Sequence, residues 1–376
     1  MRPILLRQSS PPSLRRCRRR LVVALVASAA LLSACGGSPR HLAGAAPTTT
    51  TNTTTAPASS SSTAAPKPAS PPAVVAPLTG LPASASAAGQ VAVVVKVDNI
   101  AAALPQVGVA AADIVYEEMV EGGLTRLAAV FQSHQPTDVG PVRSGRLTDE
   151  GIADDLVHPV LAYAGTNGIF QPLLAAQPLS DVEIDNYPSQ FFVDPNRVAP
   201  HSTFVNVASL AKLDSTHQPP KPLWSFRRAG QPFAASGAAP AAAVTVSFPA
   251  ATATWSWDAA AARWLRTQDG APDRDSTGAQ LSAANVIIQD VGYITSAVVS
   301  GEGPAANGTP IPTGELVGSG TAWYLSGGRI AQGTWSRSSL TARTTYLDAA
   351  GRPVRLAPGT TWVELPQTGT TPAVTP

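Results

Sequence analysis

The stretch Asp113–Arg146, DIVYEEMVEGGLTRLAAVFQSHQPTDVGPVRSGR, gathers Glu117, Glu118, Glu121, Arg126, Arg143 and Arg146 in a chain of which only 13% is charged. Two chemistries suit such a cluster. A carboxylate held away from water, with a raised pKa, can act as general base or acid. Guanidinium groups on a glycine-flanked backbone can instead grip a carboxylate or phosphate through paired hydrogen bonds. Glu117 and Glu118 are the candidate catalytic carboxylates, with His201, in Ala199-Pro200-His201-Ser202, as their candidate acid–base partner. The anion-binding candidates are Arg143, Ser144 and Arg146 in Gly140–Arg146, with Arg126 and Asp98 beside them. That segment precedes an expected helix start at Thr148, whose N-terminus favours an anion. It lacks the Gly-Lys-Ser/Thr ending of a P-loop.

Strand alternation divides the glutamates. If Ile114–Val120 is a strand, Glu117 shares a face with Met119, and Glu118 lies on the other face with Val120. The Glu121-Gly122-Gly123 turn then brings Leu124–Phe131 back antiparallel, which makes Arg126 the expected partner of an inward-facing glutamate. A structural bridge there competes with a catalytic role. His134, His158, His201 and His217 are scattered without metal-ligand spacing. The cysteines are Cys17 and Cys35, and no Gly-x-Ser-x-Gly elbow occurs. Neither a metal nor a cofactor is expected. Trp255 and Trp257 share a strand face that suits sugar stacking, but core packing is the favoured reading for the tryptophans after Ala241.

The elements that must position these residues read as an α+β fold. Val91–Val97 is a β-branched strand, and Val160–Ala164 is a further short one. Helical patterns follow Thr148 to Val157, Ile169 to Ala176 and Val205 to Leu213. Together they form a mixed α/β domain over 77–217. Residues 218–240, rich in Pro, Ala and Gly, read as a linker. Residues 241–366 carry short strands punctuated by turns, a smaller and mostly antiparallel β domain, and 367–376 reads as a disordered tail.

The first residues address the chain. Arg15, Arg16, Arg18, Arg19 and Arg20 precede the apolar run Leu21–Leu32, too short for a membrane span, so residues 1–34 read as a signal peptide. Leu32-Ser33-Ala34-Cys35 resembles the bacterial lipobox, in which the cysteine is diacylated and becomes the mature N-terminus. Cys35 is then the lipidation site, and the membrane a partner on the outer face of the cytoplasmic membrane. Removing seven arginines takes the formal charge from +2 to −5, which withdraws compositional support for nucleic-acid binding. Residues 35–76, rich in Thr, Ser, Ala and Pro, read as a disordered tether. Some ~40 residues span ~35 Å as a coil and ~120 Å when extended.

Three groups of motifs resemble the YerB-like lipoprotein family, defined by domain of unknown function 3048 in N- and C-terminal parts. They are VVVKVDNIAAALPQVG with the opening stretch and APHSTF; NVIIQ at Asn285–Gln289; and GSGTAWYLSGGRIAQGTW with DAAGRPVRLAPGTTWVEL at Gly318–Leu365. The resemblance implies a surface-anchored lipoprotein of two domains and names no reaction. Family members often carry a His-Ala-Gly-Gly-like run where this chain has Tyr163-Ala164-Gly165-Thr166, and a histidine near Asp273 that is absent here. The expectation is an envelope protein whose N-terminal cleft binds an anionic wall polymer or an envelope protein. The alternative is an enzyme acting on peptidoglycan or a related glycan through Glu/His acid–base chemistry.

Overall fold

The computed structural model describes residues 74–166, 170–214, 216–295 and 311–376. The expected signal peptide, Cys35 and all but the last three residues of the expected tether lie outside the described residues. Of those three, Ala76 is already buried, and Val75 forms a bridge with Pro82.

The apolar runs form strands that are buried on both faces, as in sheets covered on each side. They are β1 (Val93–Asp98), β2 (Ile114–Met119), β3 (Thr125–Phe131), β4 (Val160–Tyr163) and β5 (Ser180–Glu183), of which only β5 begins half-buried. In the main sheet the order is β5-β4-β1-β3-β2, continued by Thr361–Leu365, Asn285–Gln289, Gly318–Ser326, Arg329–Arg337 and Thr345–Asp348. The join is parallel, with Ile114 opposite Thr361 and Glu118 opposite Leu365. A second, antiparallel sheet centres on Ala243–Phe248, Ala251–Asp258 and Arg263–Gln268. Its strands alternate buried and half-buried side chains, so one face packs inward. The fold is therefore α+β: a mixed N-terminal sheet with few helices, and a separate antiparallel sheet in the C-terminal region.

Each face of the main sheet has its own core. On one, Val93, Val95, Val97, Val115 and Leu127 pack with Val244, Val246, Trp255 and Trp264 of the second sheet. On the other, Val94, Ile114, Tyr116 and Ala128 pack with Ile152 and Leu156 of the Thr148–Asp154 region, Leu174 of the helix Phe170–Ala175, and Leu223, Trp224 and Phe233. Trp255 stacks edge-on against Trp362 at 5.2 Å and is fully buried, while Trp257 packs on Trp264 at 5.3 Å. These tryptophans are core, each removing ~150–250 Å² from water, and not an open platform for sugars.

Three expectations change. The 218–240 linker is packed against the body: Leu223, Trp224 and Phe233 are buried, Ser225–Phe226 pairs with Arg355–Leu356, and Ala239–Pro240 pairs with Arg329–Ile330. The apolar residues scattered through its Pro/Ala/Gly background supply that anchoring. The tail 367–376 is not free, since Ala373–Thr375 adds a strand to the edge of Ala243–Phe248. Its ladder is made by backbone groups, which leave no signature in side-chain composition. Finally, Val205–Leu213 is not one helix. It begins at the end of β7 (Thr203–Val205), which pairs with β6 (Phe191–Val193), and continues as a short helix Val207–Leu210 capped by Asn206.

Candidate functional site

Alternation in the central strands sorts the charged residues between the two cores. Lys96 and Glu118 lie on the helix-covered face, where the Lys96 Nζ is bonded to the Glu118 Oε1 and lies 2.8 Å from Asp149 Oδ1. All three side chains are fully buried. Burial pushes the Glu118 carboxyl up to about 7, with Asp149 adding to the rise and Lys96 opposing it. On the opposite face, Glu117 Oε2 accepts from Arg266 Nη2 at 2.5 Å, and its Oε1 accepts from Thr125 Oγ1 at 2.7 Å and Asn99 Nδ2 at 3.0 Å. Arg266 also bonds Asp273 and Gln268 and lies over the Trp362 ring at 4.9 Å.

The expected bridge from Arg126 to one of the glutamates is therefore absent. Arg126 is the cross-strand neighbour of Glu118, but Lys96 sits opposite the small Ala128 and reaches across it to the carboxylate first. Glu117 and Glu118 are buried and ion-paired, to Arg266 and Lys96, although Glu118 Oε2 has no hydrogen-bond partner among the described residues, and neither joins His201. The lone lysine inside the apolar run VVVKV was the available signal for this network. Arg266 and Glu364, equally central, carried none.

The remaining candidates do converge, at the end of β1. Asp98 Oδ2 lies 2.7 Å from His201 Nδ1 and 3.0 Å from Arg143 Nε. His201 is carried by the loop joining β6 to β7, and Arg143 by the segment after Gly140. That segment is fixed by Asp98 N–H donating to Pro141 O, Val142 N–H to Thr203 O, and Arg143 N–H to Lys96 O. A side chain at Gly140 would drive its Cβ to 2.7 Å from the Phe204 ring, so the close approach needs glycine. Arg146 forks onto Glu121, with Nε 3.1 Å from Oε2 and Nη2 bonded to Oε1. Burial would raise the Glu121 carboxyl, but the Arg146 charge and hydrogen bonds outweigh it and hold it below its usual value.

Arg126 is the odd member. It is 9% exposed, donates from Nη1 to Ser144 O at 3.1 Å, and has no ion-pair partner among the described residues. Burial and then the neighbouring Arg146 charge pull its pKa down to about 10, with Arg143 adding to the fall. Three guanidinium groups thus stand beside two ion-paired carboxylates, Asp98 and Glu121, and none of these pairs includes Arg126. The other wall is Tyr163–Thr166: Ala164 N–H donates to Arg143 O, Gly145 N–H to Gly165 O, and Thr166 Oγ1 to Gly145 O. The helix start is not part of the anion site. The helix Thr148–Asp154 is short, its first turn carries Asp149 and Glu150, and Asp149 Oδ2 already accepts from Arg146 N–H at 2.7 Å. What this arrangement can do is bind an anion on Arg126 and Arg143, with His201 poised beside it.

Comparison with known proteins bears on both parts of the described body. Residues 78–219 match the family profile described as protein of unknown function (DUF3048) N-terminal domain, and 244–363 match its C-terminal domain. A Bacillus subtilis (strain 168) protein named "Putative lipoprotein YerB" is 49% identical over 71 residues, 19% of this chain and 22% of the relative's length. The crystal structure of YerB protein from Bacillus subtilis matches with a TM-score of 0.66 at 22% identity, covering 80% of this chain and 99% of that one. That likeness is one of fold.

Proposed function

Since the chain belongs to the DUF3048 family through both of its domains, we propose that it is a lipid-anchored cell-envelope protein whose Asp98–Arg126–Arg143–Arg146 cleft holds an anionic group of a wall component or partner protein. The anchor is Cys35, on the outer face of the cytoplasmic membrane. Its support is the Leu-Ser-Ala-Cys sequence together with the printed name of the Bacillus relative. The observation that carries the binding reading is Arg126, a nearly buried cation with no ion-pair partner among the described residues, flanked by two further arginines. Burying an unpaired charge is costly, and an incoming carboxylate or phosphate relieves that cost with charge-assisted hydrogen bonds of ~1.5–3 kcal/mol each.

Co-sedimentation of the purified protein with purified envelope material tests this. Arg126→Ala and Arg143→Ala are each expected to weaken retention tenfold or more, about 1.4 kcal/mol per decade. Unchanged retention in the double variant would overturn the binding role. The alternative, an enzyme acting on envelope glycan, draws its support from the His201–Asp98 pair alone, because Glu117 and Glu118 are held elsewhere. Release of soluble fragments that disappears in His201→Ala would favour it. Release unaffected by that change would leave the histidine as a positioning contact for Asp98.

A further inference from the structure

A second basic surface, built from other residues, runs beside the outermost main-sheet strand, Thr345–Asp348. A cavity of about 640 Å³ is lined by Arg227, Gln231, Asp348, Arg352 and Arg355. It shares Ser225, Pro353 and Val354 with a cavity of about 400 Å³ that holds Trp224, Arg343 and Tyr346. That one shares Arg343 and Thr345 with a third, of about 470 Å³, which adds Ser319, Ser336 and Ser338. The three adjoin one another through these shared residues and together make up the furrow.

Its charge is one-sided. Arg227, Arg343, Arg352 and Arg355 face a single lining carboxylate, Asp348, which is already engaged. Asp348 accepts from Ser236 N–H at 2.9 Å, Arg352 N–H at 3.0 Å and Arg352 Nη2 at 2.9 Å. The fifth arginine in the lining, Arg337, is 2% exposed and spent on Gly151, Leu340 and Ala342 carbonyls. Arg227 is preset by Ser326 Oγ at 2.8 Å and by the Phe233 ring at 5.7 Å. The Arg355 side chain is exposed and makes no bond among the described residues. Trp224 adds a donor: it is 8% exposed, lines the middle cavity, and its Nε1 has no acceptor among the described residues. An indole N–H can only donate, and a buried donor without an acceptor is uncommon in native folds.

We propose that this furrow binds a linear phosphate polymer, with successive phosphates meeting Arg343 in the middle and Arg227, Arg352 and Arg355 toward one end. Guanidinium forks, serine and threonine hydroxyls and the Trp224 N–H are the donors that phosphate oxygens accept from. Three adjoining cavities, each with an arginine, suit several phosphates of one chain better than a single ion. Whether the polymer is a phosphoanhydride chain or a phosphodiester-linked polyol is one outcome of the test. The proposal stands apart from the Arg126 cleft, with which it shares no residue.

The test is titration of the purified protein with orthophosphate, with polyphosphate of defined lengths and with a glycerol phosphate polymer. Affinity is expected to rise at least tenfold from orthophosphate to the longer chains, and to fall steeply with salt as bound counterions are released. The combined Arg343→Ala and Arg355→Ala variant should lose tenfold or more in affinity and show a shallower salt slope. Lys212→Ala, at an exposed position outside both arginine clusters, should lose neither. Tighter binding of one polymer over the other assigns the source. Equal affinity for orthophosphate and both polymers, no binding of either polymer, or loss in Arg143→Ala with retention in the furrow variant would each overturn the proposal.

Discussion

Arg266→Met is expected to destabilise the fold by at least ~3–5 kcal/mol, the usual cost of breaking a buried ion pair by removing one partner. The guanidinium is fully buried and holds Glu117 on the N-terminal side of the join to Asp273 on the C-terminal side. Glu364, opposite Glu117 across the parallel join, already has its carboxyl pushed well above the usual range by burial and by the Glu117 charge. Asp273 is likewise raised by burial, against the pull of Arg266. Without the arginine, three acidic side chains share one dry space. The deficit should therefore grow with pH, because the folded state then prefers its carboxyls protonated while the unfolded chain does not. Urea denaturation at pH 5 and pH 8 measures both effects. A loss below ~1 kcal/mol at pH 8 would show that the network contributes little.

Lys96→Met should produce a loss of similar size, ~3–5 kcal/mol, by leaving Glu118 and Asp149 facing each other without a cation. The wild-type protein carries a milder form of the same liability. With the Glu118 carboxyl raised from 4.5 to about 7, the folded state binds more protons than the unfolded state between those values. Its contribution to stability is complete below about pH 4.5 and is lost as pH rises through about 7. Glu118→Gln removes this titration, so its stability profile should be flatter than wild type across that window. Parallel profiles for the two proteins would refute the assignment. Adding Glu118→Gln to Lys96→Met should recover part of the loss, since Asp149 then faces a neutral amide instead of a second carboxyl.

Much of this architecture is readable from residue order, and the exceptions have physical causes. The β-branched run at Val91–Val97 and the turn at Gly122-Gly123 mark β1, β2 and β3, because local pattern and turn chemistry agree there. The split of Glu117 from Glu118 follows from strand period alone, and the structure bears it out. Their partners do not follow. Lys96 is two strands away from Glu118, and Arg266 is distant in sequence from Glu117, so only the assembled sheets bring them near. The arginine cluster was legible as residue types, since Asp98, Arg126, Arg143, Arg146 and His201 do meet, with Ser144 joining through its backbone carbonyl. The ordering within it was not. Arg143 takes Asp98 and Arg146 takes Glu121, which leaves Arg126, the expected bridge to a glutamate, without an ion-pair partner among the described residues.

The parallel contact between β2 and Thr361–Leu365 also sets a timetable. A chain that emerges from its N-terminus can form the β2–β3 hairpin and dock β1 as soon as those residues are available. It then waits with the β2 edge open until Thr361–Leu365, among the last core residues to arrive, slots in beside it. Closing a sheet across so long a loop is slow, and an unpaired apolar edge is the surface on which partly folded chains associate. The N-terminal segment therefore needs the rest of the polypeptide to shield it, and a chain cut short before Thr361 is expected to aggregate instead of persisting as a half-built domain.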